Sequence, residues 1–90
     1  STYFFGLNNL IWVSKVDLNN NEAKFNIKNN SSVDQNITFV TKIPVNVEVE
    51  ILGDLNGSAG SNGKIEKNFV LKNNEEKVIN FGYKEIKTFK

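Results

Sequence analysis

Between Ile37 and Ile51 the chain alternates between apolar and polar positions. Ile37, Phe39, Ile43, Val45, Val47, Val49 and Ile51 share one parity, with Thr41 as their polar member, and Thr38, Lys42, Asn46, Glu48 and Glu50 fall between them. A period of two puts one face of a strand on a core and the other in water. Pro44 interrupts the run and lacks the N–H a sheet ladder needs. The pattern therefore predicts two strands, near 36–43 and 45–52, meeting at a bend where the chain crosses to a second sheet. Shorter alternations flank it. Ala23, Phe25 and Ile27 share a parity, as do Ile65, Phe69 and Leu71, and then Ile79, Phe81 and Tyr83. In the stretch from Leu10 to Leu18, the residues Leu10, Trp12, Val16 and Leu18 form one face, with Ile11 and Val13 on the other. The first half of that stretch is expected to be buried on both sides, with Trp12 as a core anchor, and Tyr83 is expected to be structural.

Asn-rich punctuation separates these runs, at Asn19-Asn20-Asn21, Asn29-Asn30 and Asn73-Asn74. Asn tolerates left-handed backbone better than other non-glycine residues, so each cluster predicts a tight turn. No segment carries apolar residues at helical spacing over three turns. The expectation is an all-β chain, an immunoglobulin-like β-sandwich of about seven strands. Residues 1–90 read as a single domain with a flexible, glycine-rich loop at 53–63.

Composition narrows the chemistry. The 90 residues include no Cys, no His and no Arg; the 11 basic groups are all Lys, set against 10 acids, for a net charge of +1. Disulfides and thiolate metal sites are excluded, and the commonest general base and metal ligand is missing. A near-neutral chain with scattered Lys has no basic patch for nucleic acid. The longest apolar runs, Tyr3-Phe4-Phe5 and Leu10-Ile11-Trp12-Val13, are far too short to span a bilayer, and no signal-peptide pattern is present. Asn is the commonest residue, at 16. Its codons and those of Lys and Ile are A/T-rich, so genome composition explains part of the excess and turn chemistry the rest.

Few motifs survive scrutiny. Asp54 and Asn56 begin like a calcium loop, but Gly57 comes two places early and Ile65 stands where a bidentate Glu is required. Glu48 and Glu50 share a strand face about 7 Å apart. With Lys nearby, they read as a solvated face with cross-strand ion pairs, not as a buried acid and base. No metal, no cofactor and no catalytic residue is expected, and the domain reads as a non-enzyme. Asn29, Asn30, Asn36 and Asn56 each stand two places before Ser or Thr with no Pro between, the acceptor pattern for N-glycosylation. Tyr3, Phe4 and Phe5 are consecutive, so a single parity cannot bury all three. They are either sandwiched between layers or form a docking strand for a second subunit, a partner's groove or a membrane surface.

The run Phe25-Asn26-Ile27-Lys28-Asn29-Asn30-Ser31-Ser32, followed by Asn36-Ile37-Thr38-Phe39 and by the turn from Leu71 to Glu75, resembles disulfide-free modules of prokaryotic, especially archaeal, cell surfaces. Among these are CARDB-like domains and the soluble immunoglobulin-like domains of archaellum stator proteins. The likeness covers about Ala23 to Tyr83. Water-stress sandwiches share the rhythm, but Asn30-Ser31 replaces their Asn-Pro turn. The resemblance implies a non-catalytic, extracellular binding or structural module. It would engage a protein partner such as an S-layer, archaellum or pilus component, or assemble with its own copies, as a glycoprotein anchored to the membrane through a segment outside this chain. The alternative is a carbohydrate-binding module, which needs aromatic rings on the surface.

Overall fold

The computed structural model describes residues 2–6, 10–58 and 62–86. It is all-β, with no helix among the described residues. The strands are β1 (Thr2–Gly6), β2 (Ile11–Asn19), β3 (Glu22–Asn29), β4 (Gln35–Lys42), β5 (Val49–Gly53), β6 (Lys64–Leu71) and β7 (Glu76–Glu85). They form two antiparallel sheets, a five-stranded one in the order β1-β2-β3-β7-β5 and a two-stranded one of β4 and β6.

The expected alternations set the core. Ala23, Phe25 and Ile27 of β3 and Ile79 and Phe81 of β7 are buried on one face of the large sheet. Phe39 of β4 and Ile65 and Leu71 of β6 are buried on the facing side of the small one. Phe25 and Phe39 meet edge to face, with ring centroids 4.8 Å apart, which puts β4 over β3. Lys77 of β7 lies 5.0 Å over the ring of Phe69 of β6, which puts β6 over β7.

Two expectations about the core fail. Trp12 is not a core anchor: it is exposed, at 37%, as are Leu10 and Leu18. Antiparallel partners share a face, and Ile11 and Val13 pair with Asn29 and Ile27 on the buried side of β3. That register turns Trp12 outward, opposite Lys28. A strand with apolar residues on both parities is oriented by its neighbour, since a one-residue slip exchanges its faces.

The second failure lies at Pro44. The chain does cross between sheets there, because β4 pairs with β6 in the small sheet and β5 with β7 in the large one. The crossing takes residues 43–48 out of both ladders, so Val45 and Val47 are exposed loop residues instead of core. The two ends of the crossing stay tied, the Ile43 N–H donating to the Gly63 carbonyl at 3.0 Å and the Glu48 carbonyl accepting from the Ile86 N–H at 2.8 Å.

The three Asn clusters do mark turns. Asn20 and Asn21 close the β2–β3 hairpin, and Asn74 takes the left-handed φ of 59° between β6 and β7. The loop expected to be flexible over 53–63 is built in its first half. Gly53 takes φ 82°, the Asp54 N–H donates to the Asn80 carbonyl at 2.8 Å, and the Asp54 carboxylate accepts from the Asn80 N–H at 2.7 Å. These bonds extend the β5–β7 ladder by one step and fix Leu55, which is fully buried. Residues 59–61 of this loop lie outside the described residues.

Candidate functional site

Two strands cannot cover five. With β4 over β3 and β6 over β7, the large sheet continues past β4 by the widths of β2 and β1, about 10 Å at the usual strand spacing. The result is an open cleft of about 600 Å³ between β4 and the inward faces of β2 and β3. Phe25 and Val13 contribute its floor, Ile37, Phe39 and Thr41 its wall, and the Asn19–Glu22 turn one end.

The cleft is mostly apolar with one ion pair in it. Lys15 Nζ lies 3.3 Å from Asp17 Oδ1 and 5.7 Å over the Phe25 ring, with both charged side chains about one-third exposed. The Lys15 stem thus covers apolar surface while its head stays near water, the usual compromise for this side chain. Tyr83, 6.2 Å from the Phe81 ring, reaches the same cleft from β7.

Above the cleft runs the free edge of β4. Among the described residues its only strand neighbour is β6. From Gln35 to Thr41 it carries no charge, whereas β6 has Lys64, Glu66 and Lys67 along its length. Charges on an edge strand discourage pairing with other chains, so β6 is guarded and β4 is not. The signal was present in the sequence, but β4 reads there as an ordinary strand, because which strands become edges is a property of the topology.

The anticipated docking residues Tyr3, Phe4 and Phe5 belong to β1, the edge strand beside this cleft. Its backbone pairs with β2, setting Tyr3 opposite Lys15, Phe4 opposite Ser14 and Phe5 opposite Val13. Their side chains lie outside the described part of the structure.

The four glycosylation candidates separate. Asn30, Asn36 and Asn56 are exposed. Asn36 is on the outer face of β4 opposite Val70, and the Thr38 hydroxyl of its sequon lies 2.8 Å from Asn68 Oδ1. Asn29 is a correction. It is fully buried, and its Nδ2 donates to the carbonyls of Val33 (2.8 Å), Leu71 (3.0 Å) and Lys72 (3.1 Å). Its Oδ1 accepts from the Ser31 N–H at 2.9 Å and lies 2.6 Å from the Ser31 hydroxyl. A sugar on Nδ2 is incompatible with those contacts and with the space available. Asn29 instead joins the end of β3 in one sheet to the end of β6 in the other. The Asn-x-Ser spacing that resembles a sequon is here an Asx-turn, in which the side-chain oxygen accepts from the backbone two residues on.

Glu50 pairs across the strand with Lys84 at 3.4 Å, as its exposed position suggested, while Glu48 uses its carbonyl to accept from the Ile86 N–H. Among the described residues no three acidic side chains converge on a point, and no helix is long and apolar enough to cross a membrane. The cleft offers apolar contact area, and beside it, among the described residues, the outer edge of β4 has no strand partner, the two features that recognition of an extended chain requires.

No family model, curated protein or solved structure matches this chain.

Proposed function

We propose that this domain is a non-catalytic binding or structural module of an extracellular or cell-surface protein, an immunoglobulin-like β-sandwich of about seven strands that engages another surface protein. S-layer, archaellum and pilus components are the partner class implied by its resemblance to disulfide-free archaeal surface domains. The observation that carries the proposal is the mismatch between a two-stranded and a five-stranded sheet, which leaves a mostly apolar cleft beside a strand edge uncharged from Gln35 to Thr41. The absence of His, Cys and Arg from the sequence agrees with a role that depends on contact area instead of proton or group transfer. Exposed Asn30, Asn36 and Asn56 are compatible with glycosylation outside the cell.

Two measurements test the proposal. The labelled domain should be retained by cell-envelope preparations of its source, and mass spectrometry of native material should show glycan on one or more of the exposed sequons. Sedimentation of the full chain and of a chain lacking residues 1–5 measures self-assembly by strand docking. No envelope retention, combined with a strict monomer indifferent to that deletion, overturns the binding role. Exposed Trp12 favours carbohydrate binding as the second reading; a glycan array without hits removes it.

A further inference from the structure

We infer that β4 is an acceptor edge for a single extended segment of a partner protein, which adds antiparallel to β4 and lies in the cleft over β2. The inference rests on the binding role proposed above and names its site and the chemistry of its ligand. Strand addition draws affinity from backbone hydrogen bonds along an open edge and specificity from alternate side chains seated in pockets. Both components are present. Among the described residues no strand pairs with the outer edge of β4, and the cleft beneath it offers Val13, beside the Lys15–Asp17 pair, to alternate side chains of an added strand.

Charge links the direction of the added strand to the order of its end charges. Asp34 precedes β4 and Lys42 ends it, with seven uncharged residues between them. An antiparallel segment that begins with an acid and ends with a base places opposite charges together at both ends of the pairing. A parallel one with the same order places like charges together, which is destabilising on one sheet face. For the antiparallel addition inferred here, the ligand is an acid-first, base-last strand with apolar residues at the alternate positions that face the cleft.

A second folded copy is the wrong occupant. The sequence Asp34–Lys42 is complementary to itself when paired antiparallel about Thr38, with Asp34 opposite Lys42 and Ile37 opposite Phe39. Such a pairing has a two-fold axis perpendicular to the sheet, however, and keeps both copies on the same side of it. Because β2 and β1 extend beyond β4, the large sheets of the two copies would occupy the same space. A lone strand meets no such obstacle.

That self-complementarity supplies the probe. A synthetic peptide with the sequence of residues 34–42, and a control with its terminal Asp and Lys exchanged, would be added to the full-length chain while amide exchange is followed by NMR. At about 1 mM peptide, which half-saturates a site of millimolar Kd, exchange of the β4 amides on the open edge should slow about twofold. The control should bind several-fold more weakly, and Lys42→Glu, at an exposed end position, should narrow that preference. Val40→Lys, on the solvent side of β4, should keep the folded spectrum and weaken peptide binding. Unchanged β4 exchange, protection on β6 or β5 instead, or protection that depends on protein concentration without peptide (a second copy as occupant) each overturns the inference. Envelope retention that survives Val40→Lys unchanged would overturn β4 as the acceptor but leave the binding role standing, whereas no retention of the unmodified chain, together with a strict monomer indifferent to loss of residues 1–5, removes that role itself.

Discussion

The two sides of this molecule are built to different standards. On the β6 side, Leu55, Ile65, Leu71 and Ile79 are each at most 1% exposed. The Gly53–Ser58 turn folds Leu55 into that core, and Asn29 ties the sheets together at the end of β6. On the β4 side, Val13 and Ile37 are only half-buried, and an ion pair stands in the gap. The difference shows how a small domain concentrates its packing. One side closes the space between the two sheets, and the other leaves it open.

Substitutions can break that contrast, beginning with the closed side. Leu71→Ala or Ile65→Ala should lower unfolding free energy by about 2–5 kcal/mol, because a fully buried site keeps a cavity. Val13→Ala in the cleft should cost about 1 kcal/mol, since its methyl groups are already partly in water. Urea denaturation of the three variants checks the ratio, and equal losses would mean that the two sides are packed alike.

Asn29→Ala removes a donor from three carbonyls and an acceptor from Ser31. The expected loss is about 3 kcal/mol, since buried polar groups left unpaired incur their full desolvation cost. Amide exchange near Leu71 and Glu75 should rise, while exchange near Lys15 changes little. A loss below that of Val13→Ala would show that the staple is incidental.

Glycines on the same loop offer a finer test. A Cβ at Gly53 would collide with the Asn80 carbonyl oxygen, and the residue sits at φ 82°. Gly57 has a similar φ of 84° but faces open space. Gly57→Ala should cost the backbone part alone, about 1–2 kcal/mol, and Gly53→Ala more than that, because the Asn80 backbone must also shift. Thermal melts of the two variants should differ in that order. The smallest effect belongs to the solvated face: Glu50→Gln, which breaks the exposed pair with Lys84, should change stability by at most about 0.5 kcal/mol.

Much of the fold is legible in the alternation. Ala23, Phe25 and Ile27, then Ile65 and Leu71, then Ile79 and Phe81 all face the core as their parity requires. The crossing near Pro44 was legible too, because a missing N–H limits where a ladder can continue. The inward face of β2 was not. Ile11 and Trp12 are equally apolar neighbours, and the register with β3 chose between them. Asn29 was legible as a turn residue but not as an inter-sheet staple, since its partners Leu71 and Lys72 are more than 40 residues away.

The sequence by itself determined the strand class, the turns and the narrow range of chemistry, because these depend on local periodicity and residue type. The tertiary structure decided which strand edges stay open, since an edge exists only once every strand has chosen its neighbours. That choice left β4 unguarded beside a sheet too wide for it to cover. Backbone groups and apolar area become a site through their arrangement in space, which the one-dimensional pattern does not contain.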